Sequence, residues 1–531
     1  MFDINFSGRD FMTIGRIFIG IIKILLKVIF FFGLEFPFAV FGILFWLVNG
    51  EHSWWLWKNE KILEPIFITA MVISCLFSLL FTIRNFARLF KKDPTITIRS
   101  MFGAKDSKKI TNPTIKEIRS ESGFIFGKQN GKYIAKSETE DGHILVIGGA
   151  GSGKSSCLAI PSLDSWKERV FAIDIKGELL QKCTRDRSRV KVFSPQEQDS
   201  YGYDPFWALY ESDNIAQDIK DITLAIMPTP PDVKDPFWIE SAQNVLNGSL
   251  THFYGQGYSF IESMQEIVST PIQSLLGDIM DSDNMLAKIF VAQLVDQKAE
   301  TLSGIATELS NKIMLFATDP AISGALARPQ KITPHDLENG YDVFISIPEH
   351  KLEQWKPLLT LINNQFLKHF EKRPESDSKP ILFLLDEFAR LGKIDAILNG
   401  LATLRSKKIT IAILTQSLAQ LDLIYGRESR QVIADNCSYK AILKATDADT
   451  QEYFSKLVGT YDKIKKSSSA QFEQYTQLGK GTGASTTTEE KRIVKPEEFA
   501  TLDKIILLTP YGFCRAEKIP YYKEKRFAKG V

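Results

Sequence analysis

Residues 148 to 155 read Gly-Gly-Ala-Gly-Ser-Gly-Lys-Ser and follow directly on the apolar run His-Ile-Leu-Val-Ile of 143–147. Glycines let a backbone curl until successive N–H groups face one point, and a helix opening behind the loop adds its positive end there. Such a cradle suits phosphate. In it Gly148, Gly149, Ala150, Gly151, Ser152 and Gly153 would present the main chain. Lys154 would neutralise β- and γ-phosphates, and the Ser155 hydroxyl would bind Mg²⁺. A glycine-rich structural turn explains the loop but not the Lys-Ser pair after its last glycine.

A second acidic signal lies far downstream, where Ile381-Leu-Phe-Leu-Leu385 runs into Asp386-Glu387. Five apolar residues in succession describe a strand covered on both faces, and such sheets present ligands at their carboxyl ends. There Asp386 would hold magnesium and Glu387 would polarise the attacking water; an ordinary acidic strand end is the plainer reading of the pair alone. Ile409 to Leu414 (ITIAIL) predicts another strand, ending in Thr415-Gln416-Ser417. Gln416 is placed to sense a γ-phosphate, or simply to end a strand. Arg405, in TLRSKK, is a guanidinium suited to a neighbouring subunit's nucleotide, or a solvated surface charge.

The elements that must position these residues form an α/β pattern. Strand-like runs at 170–173 and 190–193 precede Asp174 and Pro195, the pattern stops near Trp207, and strands resume at Asp342 and continue to about Leu508. Between lies a helical stretch. Trp238, Ala242, Val245, Leu246 and Phe253 share one helical face, as do Leu302, Ile305, Leu309, Ile313 and Phe316. A separate all-helical module inserted into the α/β core is expected. Thr301-Leu-Ser-Gly304 faintly matches the ABC-transporter signature, but more than eighty residues separate it from the Asp-Glu strand, and that assignment is rejected.

The 531 residues allow two to four domains. Sixty-five Lys+Arg against 63 Asp+Glu give a net charge of +2, so any nucleic-acid site must be local. Five scattered cysteines and six histidines outside any His-Glu-x-x-His pattern exclude a secreted disulfide scaffold, a structural zinc site and a metalloprotease. From Val28 to Val48, 21 residues contain one ionisable group, Glu35, and Pro65 to Ile83 is free of charge. Both are long enough to cross a hydrocarbon core of roughly 30 Å. Basic residues before the first span and after the second place both termini in the cytoplasm. Glu35 would pair with a neighbouring helix or lie near the lipid surface. Residues 463–495 (KKSSS, QFEQYTQ, GTGASTTT) suggest a flexible polar loop. The last 21 residues carry six Lys/Arg with interleaved aromatics, a tail suited to nucleic acid, acidic lipid or plain solvation.

Taken in order, two spans, the phosphate loop, Asp174-Ile-Lys176-Gly-Glu178-Leu, Tyr203-Asp-Pro-Phe, Leu385-Asp-Glu-Phe388, Thr415-Gln-Ser417 and Asn436-Cys437 resemble the coupling proteins of type IV secretion and conjugation. These are membrane-anchored relatives of FtsK/HerA-like DNA-pumping ATPases. The resemblance covers nearly the whole chain. This chain departs from the family at Ile175, where proline is usual, and at Asp204, often asparagine. The family's arginine upstream of the phosphate loop has no counterpart around Glu140-Asp141-Gly142.

The resemblance implies a P-loop (RecA-like) nucleotide-binding domain in two parts, 94–208 and 329–510. An all-α domain at 209–328 interrupts it, a two-helix membrane anchor at 1–93 precedes it and a basic tail at 511–531 follows it. It implies ATP and Mg²⁺ as ligands, with Lys154, Ser155, Asp386, Glu387 and Gln416 in the roles above and Arg405 as a finger acting in trans. It further implies a cytoplasmic-membrane homo-hexamer that delivers a relaxase bound to single-stranded DNA, or protein effectors, to other secretion components. The alternative is a nucleotide-stabilised receptor or scaffold with little motor activity. A chromosome-partitioning pump of the FtsK type fits the short spans and helical insertion less well.

Overall fold

The computed structural model describes residues 118–230, 233–375, 378–472 and 479–527. Both expected membrane spans, Glu35 and Cys75 lie outside them, and among the described residues no helix is long and apolar enough to cross a membrane.

Six consecutive strands with almost unbroken apolar sequence build the centre of the sheet. They are β3 (Ile144–Gly148), β4 (Arg169–Asp174), β5 (Val190–Phe193), β6 (Asp342–Ser346), β7 (Ile381–Leu385) and β8 (Ile409–Thr415). Every residue of β3, β7 and β8 is buried, as expected for strands covered on both faces. With β9 (Tyr439–Lys444) they pair in parallel in the order β9-β3-β8-β7-β4-β6-β5.

An antiparallel flank extends this sheet to eleven strands among the described residues: β2 (Lys132–Lys136), β1 (Phe124–Gln129), β13 (Gly512–Glu517) and β12 (Lys504–Thr509), the last pairing with β9. The charged stretch before Asp141 contains the β1–β2 hairpin, closed at Asn130-Gly131, where both residues take positive φ (52° and 76°) in the turn chemistry that suits a tight hairpin. Residues 512–517 are a strand and not the start of a tail, because Cys514 and Ala516 alternate inward and are fully covered. The segment beyond is also tied down, since Glu524 accepts from Lys128 Nζ at 2.6 Å and from Tyr133 Oη at 2.9 Å. The 463–495 stretch, expected to be an irregular loop, forms an antiparallel ladder of β10 (Thr460–Phe472) with β11 (Gly479–Arg492).

Between β5 and β6 the chain is helical. α1 (Ile215–Ile226), α2 (Phe237–Gly255), α3 (Phe260–Ser269), α4 (Ile272–Asp281), α5 (Met285–Val291), α6 (Ala299–Thr318) and α7 (Pro320–Ala327) follow one another. Short-range chemistry sets their ends: Asn214 caps α1, Ser259 and Glu262 make a reciprocal box at α3, and Asp319 caps α7 ahead of Pro320. The α6 stripe Leu302, Ile305, Leu309, Ile313, Phe316 is wholly buried. On α2 the stripe holds except at Trp238, which is 42% exposed and covers Gly304, where an added Cβ would meet its ring at 2.6 Å.

The helices do not have a core of their own. One continuous apolar cluster runs from Ile345 and Phe366 beside the sheet to Ile313 and Phe316, through Phe206, Phe260 and Phe316 in successive edge contacts of 5.5 and 5.3 Å. The described residues accordingly belong to one compact unit.

Candidate functional site

Strand register decides which side chains can meet. Ile147 of β3 stands opposite Thr415 of β8, and Leu385 of β7 opposite Ile413. The next residues along each strand, Gly148, Gln416 and Asp386, therefore leave the same edge of the sheet. The loop after β3 turns through Gly151 (φ 68°) and Gly153 (φ 97°) into the helical turn Lys154–Ala159. Gly148 is held to its type by space: a Cβ there would lie 2.4 Å from Ser152 Oγ and 2.9 Å from Lys154 Cγ.

Five side chains converge. Lys154 is buried, and its ammonium donates to the Gly148 carbonyl at 2.7 Å and lies 3.8 Å from Glu387 Oε1. Ser155 Oγ donates to Asp386 Oδ2 at 3.1 Å, bridging 231 residues of sequence. Gln416 Nε2 donates to Glu387 Oε2 at 3.2 Å. Burial, reinforced by the charge of Glu387, pushes the Asp386 carboxyl up to about 6, against the opposing pull of Lys154. Glu387 takes a left-handed backbone conformation (φ 49°), which costs a non-glycine residue about 1–2 kcal/mol. Its N–H donates to Asp386 Oδ1 at 3.0 Å, so the turn fixes both carboxylates together.

Sequence reading missed Gln420. From the first turn of α8 (Leu418–Asn436, the helix after β8), its Oε1 accepts from Thr415 Oγ1 at 3.2 Å and from the Gln416 N–H at 3.3 Å. That clamp orients the strand tip. The signal available was Ser417, whose hydroxyl caps the helix by accepting from Gln420 N at 3.4 Å, so a polar residue three positions on was bound to face back.

Other motif residues do not enter this site. Asp174 is buried and accepts the Leu180 N–H at 2.8 Å; burial raises its carboxyl, which the surrounding N–H groups counter. Ile175 is covered, while Lys176 and Gly177 line a separate cavity of about 470 Å³ with Gln196, Ser346 and Glu349 at the ends of β4, β5 and β6. Tyr203 shares a hydrogen bond with Gln365 and accepts from Trp207 Nε1 at 3.3 Å, an internal fixture. Asn436 is half-buried at the end of α8, donating to the Val432 carbonyl, and Cys437 is buried. Arg405 is exposed in the turn before β8, at the amino end of the sheet, and the chain does not bring it to its own Lys154. The Glu140–Gly142 turn is pinned by Lys136, whose buried ammonium donates to the Glu140 carbonyl at 2.5 Å and to Thr410 Oγ1 at 2.9 Å.

The residues fit a magnesium nucleotide by their own chemistry. Ser152 Oγ is buried without a hydrogen-bond partner inside the glycine cradle. Lys154 is covered with only a carbonyl at bonding distance, and Asp386 is a half-buried carboxylate next to a second one. Each is a costly arrangement for a protein alone and is relieved by bound phosphate and a divalent cation.

A large, mostly parallel sheet with a glycine-rich phosphate-loop sequence at the carboxyl end of a central strand defines a mixed α/β protein with a P-loop NTPase-like fold. Within that class the chain belongs to the family described as type IV secretory system conjugative DNA transfer, whose model matches residues 95–530. Protein VirD4 of Agrobacterium fabrum (strain C58 / ATCC 33970) is 24% identical over 425 residues, 76% of this chain and 62% of that protein. Conjugal transfer protein TraG of Escherichia coli is 23% identical over 410 residues, 69% of this chain and again 62% of the relative. The chain thus spans about three-fifths of the length of these relatives. Among solved structures, the bacterial conjugative coupling protein TrwBdeltaN70 in its unbound monoclinic form matches with a TM-score of 0.60 at 18% identity, over 76% of this chain and 90% of the other. The plasmid coupling protein TrwB in complex with ADP and Mg²⁺ matches with a TM-score of 0.59 at 18% identity and the same coverage. At that identity the likeness is one of fold.

Proposed function

We propose that the chain is the coupling ATPase of a type IV secretion or conjugation system. In this reading residues 1–93 anchor it in the cytoplasmic membrane by two passes, with both termini in the cytoplasm. The parts 94–208 and 329–510 form the RecA-like motor and 209–328 the inserted helical module, and subunits close into a hexameric ring. The cargo is a relaxase joined to single-stranded DNA, or protein effectors. The observation that carries this is the convergence of Lys154, Ser155, Asp386, Glu387 and Gln416 at one sheet edge, the 3.8 Å approach of Lys154 to Glu387 above all. Membership in a conjugative DNA transfer family supports the cargo class.

Bound magnesium supplies positive charge across the phosphates. The chain's own residues do the rest. Lys154 leaves the Gly148 carbonyl for phosphate oxygens and offsets charge building up there as the bond breaks. Ser155 and Asp386, already joined at 3.1 Å, would hold the cation. Glu387, fixed by its left-handed turn, orients and polarises the water for in-line attack. Gln416, bonded to Glu387 and clamped by Gln420, links the state of the site to α8 and so to the rest of the domain. Arg405, exposed and remote from its own phosphate loop, is available to the next subunit. In a transfer assay, Glu387→Gln should retain ATP binding and abolish delivery; delivery at the wild-type rate would defeat the motor reading and leave the scaffold.

A further inference from the structure

β3 is flanked by β8 on one side and β9 on the other. Gln416, Asp386 and Glu387, the groups suited to a terminal phosphate, all lie on the β8 flank. The β9 flank carries a different set. Gly149 N–H of the phosphate loop donates to the Lys444 carbonyl at 3.2 Å. Beside it, Lys518 Nζ donates to the carbonyls of Leu443 at 3.1 Å and Leu502 at 3.0 Å. The chain then turns, and Tyr521–Lys523 packs against the helical turn Lys154–Ala159 that bears the phosphate-binding lysine.

Several features of this corner point to an absent ligand. Burial lowers the Lys518 ammonium, the charges of Cys157 and Asp503 oppose that, and the like charge of Lys444 adds a little to it. The buried Cys157 thiol, raised by its burial, is drawn down by the Ser156 hydroxyl and by the charges of Lys518 and Lys523. An aromatic ring also stands open: Tyr522 is 53% exposed and is braced edge-on by Tyr521, with ring centroids 5.3 Å apart. Tyr521 in turn packs against the apolar clusters beneath.

A nucleoside triphosphate whose last phosphate lies between Lys154 and Glu387 has its base and sugar on the opposite flank, since the near flank is filled by the acidic strand tips. We propose that Lys518–Lys523 is the nucleoside subsite of the phosphate-loop site, with Tyr522 stacking on the base and Lys518 and Lys523 serving the ribose and α-phosphate. This rests on the nucleotide reading above and adds to it the residues that grip the nucleoside. Stacking reads the face common to all bases, and loss of such a contact weakens binding by about tenfold or more.

The test compares two ligands on the full chain, Mg²⁺–ATP and Mg²⁺–tripolyphosphate, the second lacking base and sugar. In Tyr522→Ala and in Lys523→Ala, both exposed positions whose thermal transitions should match the wild type, ATP binding should weaken about tenfold while tripolyphosphate binding stays unchanged. Lys518→Met serves as a third variant. The subsite is overturned if the variants bind ATP as the wild type does, or if both ligands weaken equally. Wild-type protein that binds neither ligand would overturn the nucleotide reading itself, and the subsite with it.

Discussion

In the nucleotide-free protein Asp386 is a liability, and Asp386→Asn should expose this. Its carboxyl is raised from the ordinary 3.8 to about 6 by burial and by Glu387. A group whose folded pKa exceeds its unfolded one destabilises the fold where both forms are ionised, above about pH 6, and the penalty vanishes below the unfolded value. At about 1.4 kcal/mol per pH unit the shift amounts to ~3 kcal/mol. Asp386 is partly open to solvent, and the Asn variant must still bond Ser155 Oγ and the Glu387 N–H through one amide, so a net gain of about 1–2 kcal/mol is expected. Denaturant unfolding with a chelator present should show the variant more stable than wild type at pH 7.5 and equal to it near pH 4. With Mg²⁺–ATP added the order should reverse, because only the wild type gains ligand stabilisation. A variant destabilised at pH 7.5 without ligand would refute the idea that this carboxylate is held at a cost for function.

Gly148→Ala should abolish nucleotide binding with little loss of fold, because the added methyl would sit 2.4 Å from Ser152 Oγ inside the cradle; equilibrium binding beside a thermal melt would show it, and wild-type affinity would contradict it. His143 must be neutral in the fold, since its Nδ1 accepts the Ile411 N–H at 3.0 Å and burial pushes its pKa down to about 3. Stability should therefore be full above the unfolded value of 6.5 and fall by about 1.4 kcal/mol per pH unit below it. Replacing it with Gln, whose amide oxygen still accepts, should flatten that slope in urea titrations between pH 6.5 and 5; an unchanged slope would clear His143 of the effect.

How much of this was legible beforehand depends on how strongly each segment is buried. β3, β7 and β8 declare themselves because strands covered on both faces admit only apolar residues, and their ends then point to Lys154, Asp386 and Gln416. The α6 stripe is equally plain, since five residues at helical spacing are all covered. The antiparallel flank is harder to read. β13 keeps Arg515 and Glu517 on its open face, and β2 begins and ends in lysine although Lys136 is buried, so composition resembles a loop, and only Asn130-Gly131 betrays the hairpin. Trp238 joins its stripe in sequence yet lies over Gly304 at the surface, a placement set by a glycine more than sixty residues away. Gln420 and the Lys518–Lys523 corner depend on strand order, which no local pattern contains. Sequence spacing shows the helical stripes but not what they pack against, and the continuous cluster through Phe206, Phe260 and Phe316 joins them to the sheet.

Single-turnover hydrolysis by Glu387→Gln protein is the most direct check that the lysine loop and the acidic strand tip act on one nucleotide. With radiolabelled Mg²⁺–ATP bound at stoichiometric occupancy, the account expects affinity within a few-fold of wild type and a cleavage rate at least a hundredfold lower, on the order of the loss when a single well-placed catalytic group is removed. Cleavage at the wild-type rate from the bound state would contradict it.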